Sequence, residues 1–227
     1  MTTFHDIAKG SNHLIKFLHV ATGTRVEFPA FLTQYSDGFS VSWGNEVIYG
    51  RNDPIKQYQS TTRNINIGFD VLAPSLNHAR ENMDKYTKLV QMLYPVYSEP
   101  LNGGEAGRGR TLKSPPLLRI HFLNLIKNVS FNTPEEGLLG CINGVSMTPN
   151  AESGYFTTNN ELLPKNFNIS FTFEPQHESP LGFRDNKFIN PEFPYSRSSG
   201  TPSSDRSSSG TSEVSKARQS AITGGGE

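Results

Sequence analysis

The side chains of this 227-residue chain that most often carry out chemistry in proteins are six histidines and one cysteine. The histidines are His5, His13, His19, His78, His121 and His177. None stands in the HxxxH or HExxH spacing that places two ligands on one helix face, so no helical zinc pair is predicted. His19 and His121 fall within strand-like runs, where we expect structural histidines. Cys141 has apolar neighbours, which favours a buried, unreactive thiol, and a single cysteine excludes an intrachain disulfide and a cysteine-rich zinc site.

A glycine-rich run over residues 103–110 invites comparison with loops that hold phosphate. No GK[ST] follows it, and it comes after a helix and a proline instead of between a strand and a helix. We interpret it as a flexible loop. Its Arg108 and Arg110 suit a carboxylate surface or a phosphate group.

Neighbouring carboxylates give no support for acid–base catalysis. Glu135-Glu136 lies between a proline and a glycine, which is typical of a solvated turn, and nothing in the sequence places Asp53 near Asp70. Residues 128–130 and 168–170 match the glycosylation acceptor pattern, which we interpret as chance matches. The sequence therefore predicts no catalytic, cofactor-binding or metal-binding residue, no cofactor, and a protein that is not an enzyme.

Composition narrows the class of protein. Lys plus Arg equals Asp plus Glu at 21 each, so no overall field attracts the chain to nucleic acid or to an anionic membrane. No apolar run approaches the roughly 18 residues of a membrane helix. The first twelve residues lack the apolar core of a signal peptide. We therefore expect that the protein does not insert into a membrane and that it is made in a cytoplasm.

The first half of the chain alternates like a set of strands. Runs over 14–20 and 25–35 are separated by Ala-Thr-Gly-Thr, which predicts a hairpin. Ser36-Asp37-Gly38 is a turn signal, and alternation resumes over 39–43. Together these segments predict a β-meander.

A long strand and one helix are predicted next. Asn52-Asp53-Pro54 is a break, and a strand over 59–72 follows, with four apolar side chains on one face. A helix over 75–94 has Ser75 as its N-cap and ends at Pro95. Its apolar stripe consists of Leu76, Ala79, Met83, Tyr86, Val90 and Leu93.

The second half adds further strands around loops. Residues 98–116 predict a loop long enough to suggest function or contact with a partner. Strands are predicted over 117–122, 137–147 and 167–173. Residues 180–195 are rich in aromatic residues and proline without a period, which indicates an extended segment on a surface.

The two ends of the chain differ from its middle. Residues 1–13 are polar and predict an N-terminal arm, and residues 14–195 predict one domain. Half of residues 196–227 are serine or glycine and none is aromatic. Such a tail cannot bury enough surface to offset its ordering entropy.

Several ordered segments together resemble a known family. They are residues 41–43, 47–55, 62–71, 92–97, 116–120, 137–140, 144–145 and 167–173. The series resembles baseplate and tail-tube-initiator-like structural proteins of contractile-tailed bacteriophages over roughly residues 14–195. The resemblance implies an α+β, mainly β fold, which is a tail-tube-like antiparallel β-sandwich or barrel with one flanking helix and an extended C-terminal tail.

The same resemblance implies a function. It implies a virion structural protein that forms a ring, of six copies, at the baseplate centre or tail tube. Its partners would be copies of itself, neighbouring tube, hub or baseplate proteins, and DNA that passes without specific binding. It would be located in the virion, after assembly in the host cytoplasm. The alternatives are an adaptor or cell-wall-binding module of the baseplate and a tail-associated hydrolase.

Overall fold

Alternating side chains form strands along most of the chain. The computed structural model describes residues 13–98, 111–128, 137–158 and 160–195, all within one compact unit. The strands are β1 (Leu14–His19), β2 (Arg25–Pro29), β3 (Phe31–Glu46), β4 (Ile55–Leu72), β5 (Val96–Tyr97), β6 (Leu112–Ser114), β7 (Leu118–His121), β8 (Leu138–Pro149), β9 (Tyr155–Thr158), β10 (Glu161–Pro164), β11 (Asn166–Pro175), β12 (Phe183–Arg184) and β13 (Lys187–Phe188). An α-helix, α1 (Leu76–Gln91), follows β4, and a 3₁₀ turn (Ala151–Ser153) follows β8.

Seven strands form one antiparallel sheet in the order β2-β1-β7-β8-β11-β4-β3. The sheet does not close, because β2 and β3 are its two edges. It nevertheless folds onto itself: the ring of Phe28 on β2 lies 6.0 Å from that of Phe69 on β4, and Phe17 on β1 lies 5.6 Å from Phe171 on β11. The α+β, mainly β fold predicted from the sequence is confirmed, with the two halves of one curved sheet facing each other.

The core lies between these two halves. The apolar face predicted for the long strand is buried, with Ile65, Ile67, Phe69 and Val71 at most 2% exposed. The period of two predicted over 167–173 is also confirmed, because Phe167, Ile169, Phe171 and Phe173 are all buried. These strands are neighbours, and β11 pairs with β4 from Asn166↔Leu72 to Phe173↔Ile65.

Helix α1 begins at the predicted cap, where the Ser75 hydroxyl accepts from the His78 backbone amide. It ends at Gln91, three residues before the predicted end. The predicted stripe faces the interior: Ala79 is buried, and Leu76, Met83, Tyr86 and Leu93 pack against buried residues. The buried face is wider than the stripe, because Leu89 and Met92 beside it are buried in the main core. Asn82 is also buried, because its amide donates to the Leu72 carbonyl at 3.3 Å.

The predicted turn at Ser36-Asp37-Gly38 is wrong. These residues lie inside β3, which pairs continuously with β4 through Asp37↔Ile65 and Gly38↔Asn64. The polar turn residue is accommodated in the strand because it forms an ion pair across the ladder with Arg63. A local turn signal is therefore overridden by a partner 26 positions away.

Three two-stranded pairs lie outside the seven-stranded sheet in the described residues. β5 pairs with β6, so the predicted loop over 98–116 is wrong at residues 112–114, and its centre at 99–110 lies outside the described residues. β9 pairs with β10, a hairpin that the sequence analysis missed. β12 pairs with β13 within the segment predicted as extended, and both strands are exposed. The predicted N-terminal arm, except His13, and the predicted tail from 196 onward lie outside the described residues.

Candidate assembly interface

The β3–β4 hairpin extends beyond the sheet as a two-stranded ribbon. β11 pairs with β4 only as far as Ile65, whereas the β3–β4 pairing continues from Ser40↔Thr62 to Glu46↔Ile55. At about 3.3 Å per residue the ribbon extends roughly 20–25 Å past the core. We call residues 40–62 the arm.

The arm has two different faces. Val41 is paired with Thr61, and Trp43 with Tyr58, whose rings meet edge to face at 5.7 Å. The Tyr58 hydroxyl also lies 2.9 Å from the Thr61 hydroxyl on this face. The opposite face carries hydroxyl-bearing residues, which are Ser40, Ser42, Ser60 and Thr62. The arm is thus an amphipathic ribbon.

No residue from 39 to 62 is buried, and the Trp43 side chain is half exposed. An isolated two-stranded hairpin is marginally stable in water, because it has no third strand and no covered apolar face. Its charges cancel, since Glu46 and Asp53 balance Arg51 and Lys56. The arm is therefore an uncovered surface with an apolar side and no net charge.

A buried ion pair stands at the root of the arm. Arg63 continues the inner face of β4, and it binds Asp37 through two bonds, Nε to Oδ1 at 2.9 Å and a terminal nitrogen to Oδ2 at 2.6 Å. The side chains of Arg63 and Asp37 are only 2% and 3% exposed. The guanidinium group lies 5.3 Å from the Phe39 ring centroid and 5.4 Å from that of Phe193. We call Asp37, Phe39, Arg63 and His177 the root cluster.

The segment that covers the root cluster comes from the end of the described chain. Residues 178–195, which we call the strap, are held at both ends. Glu178 accepts two bonds from the Arg119 guanidinium, at 2.8 and 2.6 Å, and one from Asn128. The Tyr195 hydroxyl donates to Asp37 Oδ2 at 2.9 Å. The ring of Phe193 meets the His177 ring at 5.3 Å.

The covered cluster perturbs the titration of its neighbours. Burial, then the negative charge of Asp37, raises the pKa of Tyr35. Burial and the hydrogen bond to Asp37 raise the pKa of Tyr195. Burial lowers the pKa of His177, and the positive charge of Arg63 lowers it further, against the opposing effect of Asp37. The closed strap therefore favours neutral His177.

Replacing Asp37 with alanine is expected to open the strap. A buried guanidinium without its carboxylate costs about 3–5 kcal/mol while it stays buried. Because the strap can lift and let water reach Arg63, we expect the free energy of unfolding to fall by less than this. Hydrogen exchange of residues 190–195 should rise to that of an open segment. Asp53→Ala in the exposed turn of the arm is the control, and unchanged strap protection in Asp37→Ala would contradict the prediction.

Acid is expected to loosen the strap through His177. A pKa below the ordinary value of about 6.5 in the closed state means that the open state binds the proton more tightly. The His177 contribution to closure is therefore complete above about pH 6.5, and it is lost as pH falls through the lowered pKa. Strap hydrogen exchange, corrected for the intrinsic pH effect, should rise between pH 7.5 and 5.5. His177→Gln should remove this part of the pH dependence.

The structure distributes the histidines and the cysteine over several different elements. His19 and His121 are buried in β1 and β7, and His78 bonds the cap hydroxyl of Ser75 at 2.7 Å. His13 is exposed, whereas His177 joins the root cluster. Cys141 is half-buried, not buried as predicted, and it is a free thiol. His5 and the arginine-bearing loop at 103–110 lie outside the described residues.

The candidate carboxylates also stay apart. Asp53 precedes β4 and is exposed, whereas Asp70 lies near the other end of that strand, about 50 Å away along its length. Asp70 accepts from the Asn168 amide at 2.7 Å. Glu135-Glu136 lies outside the described residues. Among the residues that the structure describes, no group of three His, Cys, Asp or Glu side chains is placed to hold a metal ion. No helix in that part of the chain is long and apolar enough to cross a membrane.

The root cluster and the attachment of the strap to it were not found by sequence reasoning. Arg63 stands where the buried face of β4 needs an apolar residue, and this break in the pattern was the available signal. Nothing local connects Asp37 with Tyr195, which is 158 positions away.

No protein-family model matches the chain, and no curated protein matches it. Among solved structures, it is similar to the SPP1 Dit (gp 19.1) protein, described as a hub adsorption apparatus in phages infecting Gram-positive bacteria. That similarity has 10% identity and a TM-score of 0.36, and it covers 71% of this chain and 49% of that one. This chain thus spans about half the length of SPP1 Dit.

Two further structures are similar. One is from the tail of an empty GTA particle with C6 symmetry, with 10% identity, a TM-score of 0.29, and coverage of 72% of this chain and 92% of that one. The other is from the sixfold-symmetrised baseplate of the anti-feeding prophage, with 10% identity, a TM-score of 0.29, and coverage of 73% and 88%. The names of all three refer to phage-type tail, hub or baseplate assemblies.

Proposed function

We propose that this protein is a non-enzymatic structural component of a phage-type tail. In this proposal six copies form a ring at the baseplate centre or at the start of the tail tube, around a channel for DNA. The ring contacts neighbouring tube, hub or baseplate proteins, and the protein resides in the virion after assembly in the host cytoplasm.

The arm is the observation that carries the proposal. A ribbon that extends roughly 20–25 Å past its own core, with Val41, Trp43 and Tyr58 on one uncovered face, gains most of its stability from a partner. Neighbouring copies supply such a partner, because arms side by side turn marginal two-stranded ribbons into a continuous sheet.

The sheet edges support head-to-tail contact between copies. β2 is one edge and β3 the other, so a contact between unlike edges leaves the resulting pair with one free edge of each kind. Such heterologous contacts generate a ring when the rotation closes. The ring is therefore compatible with the way this sheet ends.

The polar face and balanced charge of the arm suit a channel wall. Each Lys or Arg that neutralises a phosphate adds affinity for DNA, which a passage must avoid. In the proposed ring, the apolar face with Trp43 packs against protein and the face with Ser40 and Ser42 points to the channel.

Mass measurement and microscopy test the proposal. Size-exclusion chromatography with light scattering should give a mass six times that of the 25.1 kDa chain, and negative-stain images should show rings with a central hole. A protein that stays monomeric at all concentrations and is absent from purified particles would refute it. Cell-wall pull-down and zymography should both be negative, which separates the ring from a cell-wall-binding module and from a hydrolase.

A further inference from the structure

The strap covers the root cluster but is weakly attached along its length. None of residues 178–195 is buried, and its contacts with the root cluster come from Phe193 and Tyr195. Between these residues and Glu178 the strap bears the exposed β12–β13 hairpin. Segments with few buried apolar contacts open at low free energy.

Closing the strap also has an electrostatic cost. It removes the Asp37–Arg63 pair from water, and desolvation costs several kcal/mol per ion before pairing offsets it. The Phe193 ring and the Tyr195 hydroxyl compensate only part of that cost. Two clefts of about 390 and 420 Å³ lie on either side of Arg63 and His177, so the strap does not fill the space around the cluster.

The strap is long enough to reach another molecule. Its 18 residues span up to roughly 60 Å when extended. Phe193 and Tyr195 contact Asp37, Phe39, Arg63 and His177, which an identical copy presents in the same geometry. Tyr195 also interacts with Tyr35, which the same copy supplies. Exchange of an identical element between protomers reproduces native contacts and needs no new complementary surface.

We propose that Phe193-Pro194-Tyr195 of one copy docks on the root cluster of a second copy, so that neighbouring copies are linked by exchanged straps. This inference rests on the proposed ring for the supply of neighbours. It makes the root cluster a docking site for an aromatic-proline-tyrosine segment from the same protein. Its ion pair orients the tyrosine hydroxyl, and Phe39 and His177 receive the phenylalanine ring.

A complementation experiment with full-length chains tests the exchange. One variant, Phe193→Ala with Tyr195→Phe, lacks a functional strap but keeps the root cluster. The other, Phe39→Ala, keeps the strap but lacks one wall of the docking site. One variant is labelled with ¹⁵N, so hydrogen exchange by mass spectrometry reads the two chains separately in a mixture.

Each variant alone is expected to lose strap protection, with exchange at residues 190–195 roughly tenfold faster. The first variant loses the Tyr195 hydrogen bond to Asp37, and the second loses the ring contact between Phe39 and Phe193. On mixing, protection should return to the strap of Phe39→Ala chains. Tyr195→Phe alone is the milder variant, and Phe183→Ala, which changes an exposed strap residue away from the root cluster, is the matched control. Unchanged protection across β11 shows that each variant folds.

The outcomes separate the exchange from the ring. Wild-type rings together with no return of protection on mixing would overturn the exchange and leave the ring intact. A return of protection in a protein that forms no rings would support the exchange and refute the proposed ring. No return of protection and no rings would refute both.

Discussion

Replacing Phe69 with alanine is expected to lower the free energy of unfolding by about 3–5 kcal/mol. Phe69 is fully buried, and its ring touches Phe28 from the opposite half of the sheet and Phe171 from the next strand. Alanine removes the ring that joins the two halves and leaves a cavity that the strands cannot collapse. Urea unfolding followed by circular dichroism measures the effect.

The matched control is Phe183→Ala. That phenylalanine is 68% exposed in the β12–β13 hairpin, so its loss should change the free energy of unfolding by less than about 1 kcal/mol. Similar losses for the two variants would contradict the folded-over sheet. An equal slope of free energy against urea in the wild type and Phe69→Ala would show that the change lies in stability and not in the compactness of either state.

Replacing Trp43 with serine is expected to abolish ring formation while leaving the monomer folded. The indole is half exposed, and its ring contact within the chain is with Tyr58, so the loss in monomer stability should be about 1 kcal/mol. Tryptophan at the centre of an interface contributes about 2 kcal/mol or more, which is roughly 30-fold per contact. A ring repeats that loss at each contact, so its mass should fall to that of the monomer in light scattering.

Gln57→Ala is the control for the arm. Gln57 lies on the same ribbon, and its side-chain amide donates a long hydrogen bond of 3.5 Å to Glu46. Its truncation should leave the mass unchanged. Rings that persist in Trp43→Ser would show that the apolar face of the arm is not the contact surface.

The elements that were predicted correctly are those whose information is local. β4 over residues 65–71 and β11 over residues 167–173 alternate between apolar and other residues, and each buries one face against a partner on the opposite side of the core. The helix start was also local, since Ser75 caps within three residues. Alternation specifies a strand and its buried face without reference to any distant residue.

The errors come from contacts between distant parts of the chain. The Ser-Asp-Gly triplet at 36–38 indicates a turn when it is considered locally. In the folded protein Asp37 forms an ion pair with Arg63, and only the fold brings the two together. Leu89 and Met92 were left out of the predicted helix stripe, because they meet a sheet whose position the spacing of apolar residues does not encode. The β9–β10 hairpin was missed although Asn160, with its positive φ of 67°, lies at its turn, where Asn is typical.

The candidate site was predicted only in part. The sequence indicated strands at 39–43 and 59–72, but periodicity does not show where the sheet ends and a bare ribbon begins. That boundary is fixed by the pairing of β11 with β4, which ends at Phe173↔Ile65. The strap was recognised as a surface segment, and its attachment to Asp37 depends on tertiary structure alone.

The stability of the arm is expected to depend on protein concentration. A segment whose stabilising contacts lie on another molecule is governed by mass action, so its apparent stability rises with the logarithm of protein concentration. The core is independent of concentration because its contacts are internal. In the proposed ring, dilution therefore melts the arm of a chain whose core stays folded.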